Sequence, residues 1–320
     1  MLLTVQEGVR QAVDFTLRCP GCSCSLGSLA GDQAATLKCR GCGFRLDCER
    51  GIWKALLPER ILRYSRFMSD YESIRASEGR GSAESDYYLA LPFHDLSGRL
   101  SAQWAIRART FRYIERRILP RESGLRILDL GAGNCWMSYR LQRLGHAPVA
   151  VDLLTNDLDG LGAARHYAEQ LGTLFPRVQA ELDNLPFANS QFDIAIFNSS
   201  FHYSEDYERT LAEAIRCVRN GGMILIADTP WYGDERSGLR MLEERRVLFV
   251  QRYGFPSDQL NSLEYLTDRR LGALERRFHI QWHTHAPYYG MRWHLRPLAA
   301  RLRHMRPPSR FRIYRAWVMK

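Results

Sequence analysis

Two groups of residues in this chain have the types and spacing for chemistry. In LRCPGCSCSL and TLKCRGCGFRL, Cys19 and Cys22 form one C-x2-C knuckle, and Cys39 and Cys42 form another. A knuckle of this spacing turns two thiolates toward one point, and the sixteen residues between the pairs suit a chain that returns to complete a tetrahedron. These four cysteines read as ligands of a structural zinc. Cys24 and Cys48 compete as ligands, but neither forms a second knuckle, so they read better as small packed thiols. The second group is RILDLGAGNCW, residues 126–136, an apolar run carrying Asp129 and then Gly131 and Gly133. Cys135 stands where a further glycine is expected, and Trp136 occupies the third glycine of G-x-G-x-x-G. Glycines after a strand let backbone approach a nucleotide that side chains would exclude. Asp129 inside the turn is unwelcome to a pyrophosphate and suits a sulfonium or amino group. An indole at position 136 also hinders the close helix–strand contact of dinucleotide folds.

Elements of a definite kind must hold such a turn. From residue 125, apolar runs alternate with amphipathic stretches: RILDL, a helix from about Cys135 to Leu144, APVAVDL, a helix through AARHYAEQL, RVQAEL, FDIAIFN, the helix ERTLAEAIRCV, and MILIADT. This alternation predicts an α/β fold, a parallel sheet with helices on both faces and its ligand at the carboxyl ends of the strands. Asp152 closes the second strand, where an acid accepts hydrogen bonds from both ribose hydroxyls. Its alternative role is a helix N-cap or turn.

Further segments in order, ELDNLPFANSQFDIAIFNSSFHY and NGGMILIAD, extend the pattern over about 100 residues. Together they resemble the class I S-adenosylmethionine-dependent methyltransferases of the type 11-like group. The resemblance implies a Rossmann-like sheet and S-adenosylmethionine as cofactor, bound by Asp129, Gly131, Gly133 and Asp152. It also places Glu181 and Leu182 beside the adenine and Asn198 at the edge of the methionine pocket. Cys135 departs from the family's first loop, which implies altered packing with binding retained. His202 and Tyr203, with Trp231 and Tyr232 after the fifth strand, are the candidates for positioning an acceptor. His202 is either a general base or a packed side chain. The start of the chain, CPxC, CxxCG and GIWKALL at 51–57, resembles the zinc-ribbon family of small activators of RNA and protein methyltransferases.

The expected organisation is a zinc-ribbon module over 1–57, a linker or helical connector over 58–97, and a methyltransferase domain over 98–320 with a helical insertion at about 230–276. ASEGRGSAESD at 76–86 reads as flexible, and SGLRMLEERRVLFVQRY at 237–253 reads as a lid or a packed surface helix. RFHIQWHTH and RFRIYRAWV read as an antiparallel pair completing the sheet.

The net charge of +10 is local. Residues 276–320 hold ten arginines, Lys320 and no acid, so the preceding chain is close to neutral. Only Lys38, Lys54 and Lys320 are lysines, a skew as expressive of codon usage as of phosphate binding. No stretch approaches the roughly 18 apolar residues of a membrane span, and the chain reads as soluble and cytoplasmic. Two classes of acceptor remain. A small-molecule or lipid-like acceptor is favoured. The alternative is RNA of the ribosomal type, gripped by the zinc ribbon and the basic tail, although NSSFHY lacks the NPPY-type turn used for amide or exocyclic amino nitrogen.

Overall fold

The computed structural model describes residues 15–28, 36–256 and 259–320. Two hairpins come first. Strands β1 (Thr16–Arg18) and β2 (Ser25–Ser28) flank the Cys19 knuckle, and β3 (Thr36–Lys38) and β4 (Arg45–Glu49) flank the Cys39 knuckle. The two knuckles close alike: Cys19 N donates to Cys24 O at 2.8 Å and Cys39 N to Phe44 O at 2.8 Å. Strand β5 (Ile52–Lys54) runs antiparallel to β4. Apolar side chains of the first strand reach far along the chain, because Phe15 stacks on Phe192 at 5.2 Å and Leu17 bridges to Phe187.

The next segment is helical, and only the stretch at 76–86 departs from its flexible reading. Helix α1 (Pro58–Ser77) starts with proline at its first position, where no backbone donor is lost, and α2 (Ser85–Ala90) and α3 (Ser101–Tyr113) follow. Between α1 and α2 the chain is held. Tyr88 Oη donates to Leu158 O at 2.7 Å and accepts from Ser82 N at 3.0 Å, Arg80 is buried, and a Cβ on Gly81 would stand 2.8 Å from Leu158 Cβ. Gly- and Ser-rich composition here marks close packing, with Gly81 at φ +84° where side chains are strained.

The alternation after residue 125 forms the predicted sheet. Strand β6 (Arg126–Leu130) leads into α4 (Trp136–Arg143), β7 (Ala147–Asp152), a 3-10 turn and the short α5 (Ala168–Leu171), then β8 (Arg177–Gln179). Strand β9 (Phe192–Asn198), α6 (Tyr207–Cys217) and β10 (Val218–Ala227) complete the parallel set. Helices α7 (Glu235–Tyr253) and α8 (Asp268–Phe278) follow. Strand β11 (His283–His285), α9 (Met291–His294), α10 (Arg296–Leu302) and β12 (Ile313–Trp317) end the chain. The sheet runs β11-β12-β10-β9-β6-β7-β8-β5-β4-β3, with β12 antiparallel to both its neighbours. Leu128, Leu130, Val149 and Val151 fill one face, and Ile127, Ala150, Ile194 and Ile196 the other. A sheet covered on both faces produces near-continuous apolar strands of this kind.

Strands β1 and β2 form a two-stranded sheet of their own, whereas β3, β4 and β5 do not stand apart from the large sheet. β5 pairs in parallel with β8, Ile52 opposite Arg177, so β3, β4 and β5 continue the large sheet. Without them β8 would present an open edge. No helix among the described residues is long and apolar enough to cross a membrane.

Candidate active site

At the carboxyl ends of the parallel strands lies a cavity of about 370 Å³. Gly131 and Gly133 adopt φ of +76° and +52°, and a Cβ on Gly131 would overlap Ser200, so this turn needs glycine. Gly131 N and Ala132 N both donate to Val151 O, at 2.8 and 3.0 Å, binding the turn to the adjacent strand. Asp152 completes the cradle: one carboxylate oxygen accepts from Gly133 N at 2.8 Å and the other from Leu154 N at 2.8 Å. Burial raises its pKa above the ordinary carboxylate value.

Glu181 and Leu182 line the cavity beyond β8 as expected, but Glu181 already has protein partners. Its Oε1 accepts from Tyr64 at 2.8 Å and from Arg60 Nε at 2.8 Å, both on α1. Asn198 ends β9 on the cavity wall, and its buried Oδ1 finds no partner among the described residues. His202 and Tyr203 also line the wall. His202 Nδ1 is buried without a partner among the described residues, and burial pushes its pKa down to about 4.

Three expectations need correction. Asp129 is not on the cavity wall. Its carboxylate points beneath α4, accepts from Ser138 Oγ at 2.7 Å, and is pushed up to about 7 by burial. Alternation along a strand explains this, since adjacent side chains point to opposite faces. Trp231 and Tyr232 belong to the packing behind the site. Trp231 Nε1 donates to Asp268 at 3.0 Å with Arg312 3.5 Å above its ring, and Tyr232 packs edge-on against Tyr265. Of the two readings of 237–253, the lid is not what the main cavity displays: its wall is reached by Leu260 from beyond α7, while Arg245 and Phe249 of α7 line a smaller adjoining pocket.

Sequence reading missed the opposite wall, which α1 and α3 supply. Tyr64, Phe67, Tyr71 and Arg75 come from α1, and Trp104 and Arg107 from α3. The signal was present, because Tyr64, Phe67, Tyr71 and Ile74 recur at the spacing of one helical face. Arg75 is neutralised by Asp159. Arg107 forms no direct carboxylate contact among the described residues: it lies 5.0 Å over the Trp104 ring and reaches Ser199 Oγ at 3.5 Å. Burial, then the nearby Arg80 and Arg75, push its pKa down to about 10, against the opposing pull of the Asp228 carboxylate on the same cavity wall. Cys135 holds φ +63° at the N-cap of α4, a left-handed conformation that favours glycine, and its thiol is fully buried. Burial also raises its pKa well above normal, which makes it inert as a nucleophile.

Among the described residues, the Sγ atoms of Cys19, Cys22, Cys39 and Cys42 all lie within 4.8 Å of one another. Cys19–Cys42 and Cys22–Cys39 are 3.5 and 3.4 Å apart, near the edge length of a tetrahedron with metal–sulfur distances of about 2.3 Å.

A parallel sheet with an antiparallel strand next to its fifth parallel member, a glycine turn after its first core strand and an acid closing the second is the Rossmann-like arrangement of class I methyltransferases. Residues 128–226 match the family model described as a methyltransferase domain. It is 32% identical over 162 residues to a phthiotriol/phenolphthiotriol dimycocerosates methyltransferase of Mycobacterium leprae, covering 48% of this chain and 58% of the relative. It is 30% identical over 110 residues to a malonyl-[acyl-carrier protein] O-methyltransferase of Pectobacterium atrosepticum, covering 34% and 41%. It is 30% identical over 161 residues to a fatty-acid O-methyltransferase of Mycolicibacterium smegmatis, covering 48% and 57%. The chain thus spans about half the length of the curated relatives it matches.

Proposed function

We propose that the chain is an S-adenosylmethionine-dependent methyltransferase acting in the cytoplasm on an ionised oxygen, a carboxylate, of a lipid-like acceptor. The observation that carries the cofactor is the setting of Asp152. A carboxylate offers about four acceptor sites, and two backbone donors use only part of them, leaving acceptors for two ribose hydroxyls. Gly131 and Gly133 admit close backbone approach, Leu182 gives an apolar wall beside the adenine, and Glu181 frames it from its pair with Arg60. The partnerless Asn198 Oδ1 suits the amino group of the methionine end. Asp129 then acts from behind, shaping the turn through Ser138.

The cofactor supplies an electrophilic methyl group, and displacement at that carbon needs alignment more than covalent help. Tyr71, Trp104, Trp136 and Tyr203 line the cavity, and aromatic faces favour a sulfonium. His202, neutral at physiological pH, hydrogen-bonds without placing a like charge beside the cofactor. So weak a base takes no proton from an alcohol, whereas a carboxylate needs none removed and meets the Arg107 guanidinium on the cavity wall. The names of two relatives, both O-methyltransferases, support oxygen as the acceptor.

Incubation of lysate fractions with methyl-labelled cofactor tests this reading. Label is expected in the lipid fraction and is released by mild alkali, as a methyl ester requires. Label in RNA, or in an alkali-stable product, sinks it. The pH profile gives a second readout. Because His202 is held at about 4, its titration leaves the rate flat above about pH 5. A rate that climbs through neutrality and loses the climb in His202→Gln would restore the histidine as general base.

The four-cysteine cluster holds a structural zinc in this reading. Purified protein is expected to carry one zinc, and Cys39→Ser or Cys42→Ser to lose it. Since β3, β4 and β5 continue the sheet, the same variants should also melt at lower temperature. Metal analysis that finds no zinc in protein prepared without chelator rules the site out.

A further inference from the structure

The segment before β12 presents its apolar residues the wrong way round for a surface helix. Helices α9 and α10 run on as one, since Leu295 N donates to Met291 O and Ala299 N to Leu295 O, each at 3.0 Å. Met291, Leu295, Leu298 and Leu302 recur at intervals of four, three and four, which confines them to an arc of about 60° at 100° per residue, and Met305 follows just beyond the end of α10. All five point outward, 50% to 74% exposed. The half-buried positions, Trp293, Arg296, Pro297 and Ala300, fall on the opposite side. A helix that merely covers a protein shows the reverse arrangement.

This face is anchored. Trp293 stacks on Phe311 at 5.3 Å, Arg296 lies 3.1 Å over the Trp293 ring, and Arg296 Nη2 donates to Ser309 O at 2.6 Å. Buried Tyr289 pairs with Thr110 Oγ1 at 2.8 Å. Phe311 also lines the cavity, so the stripe stands one aromatic layer from the site. Arg292, Arg301 and Arg303 are exposed beside it, and residues 276–320 contain no acid.

We propose that residues 291–305 dock the protein on an anionic bilayer surface, the apolar stripe entering the headgroup–acyl boundary and the flanking arginines meeting lipid phosphates. Arginines beside an apolar face reach headgroups while their stems stay in the apolar layer. RNA would use the arginines but gives five large apolar side chains nothing to enter, so the stripe favours lipid. The docking surface does not depend on the chemistry inside the cavity, and its test needs no turnover.

The full chain is floated with vesicles of phosphatidylcholine alone or mixed with phosphatidylglycerol. Binding is expected to the mixed vesicles, on the order of tenfold or more tighter than to the neutral ones, and to weaken with salt. The double variant Leu298→Ser, Leu302→Ser should lose on the order of tenfold in vesicle affinity. Its melting temperature should be unchanged, because both side chains are exposed. Absence of vesicle binding overturns the proposal. So does equal binding by the double variant, or displacement of a bound RNA oligomer as the only effect of arginine removal. Sedimentation showing that the stripe variant turns a dimer into a monomer, with vesicle binding untouched, assigns the face to a second copy and overturns it as well.

Discussion

Cutting the chain after Arg276 yields an insoluble or unfolded protein. The cut removes β12, which lies inside the sheet with Met223–Ala227 of β10 on one side and β11 on the other. Ile313, Tyr314 and Val318 are buried to within about 1%. At roughly 1.5 to 3 kcal/mol for each such side chain, their loss approaches the 5 to 15 kcal/mol that holds a whole domain. The ladder to β10 is lost as well, including the Gly221 N–Val318 O and Val318 N–Gly222 O bonds of 2.8 Å, and β10 is left as an apolar edge. Soluble expression and far-ultraviolet circular dichroism read the outcome. A truncated protein that stays folded, keeps its cofactor affinity and loses only RNA binding would make the tail an independent arm and bring the RNA reading forward.

Replacing Asp152 with alanine lowers affinity for S-adenosylmethionine by about 1 to 3 kcal/mol, the range for stripping a buried polar group of its partner. Two effects act together. The ribose hydroxyls lose their acceptor, and Gly133 N and Leu154 N lose theirs, so the loop that admits the cofactor is no longer fixed. Asp152→Asn separates them, because an amide oxygen still accepts a backbone bond while its nitrogen cannot accept from a hydroxyl. Affinity intermediate between wild type and alanine is expected by calorimetry. Unchanged affinity in the alanine variant removes Asp152 from the site, and NAD bound in place of S-adenosylmethionine overturns the cofactor assignment.

What sequence could reveal was whatever is written locally. The cysteine knuckles, the turn at Gly131 and Gly133, and the strands from β6 to β10 each depend on residues a few positions apart, and each lies where it was expected. That Asp152 would stand at the carboxyl end of the sheet was legible because the end of a strand fixes its height. The cavity's second wall was not. Helix α1 is polar overall, and although its aromatic stripe could be seen in the sequence, nothing local says that the stripe faces the cavity. Its Arg60 and Tyr64 meet Glu181 across 121 and 117 positions, a distance no local pattern encodes. Trp231 and Tyr232 misled for the converse reason. Aromatics after the fifth strand suit a substrate pocket, but Asp268, Arg312 and Tyr265, from later elements, draw them into the packing.

The pairing of β5 with β8 also sets an order in time. The cysteine-bearing hairpins leave the ribosome first, yet the strand that receives them is made much later: the Arg177 guanidinium donates to Arg50 O across 127 positions. Contacts so far apart in the chain form slowly, because a long loop must close before they gain anything. During that interval β3, β4 and β5 have no β8 to pair with. A metal held by the four cysteines would tie the two knuckles, and the hairpins that carry them, together before β8 is made.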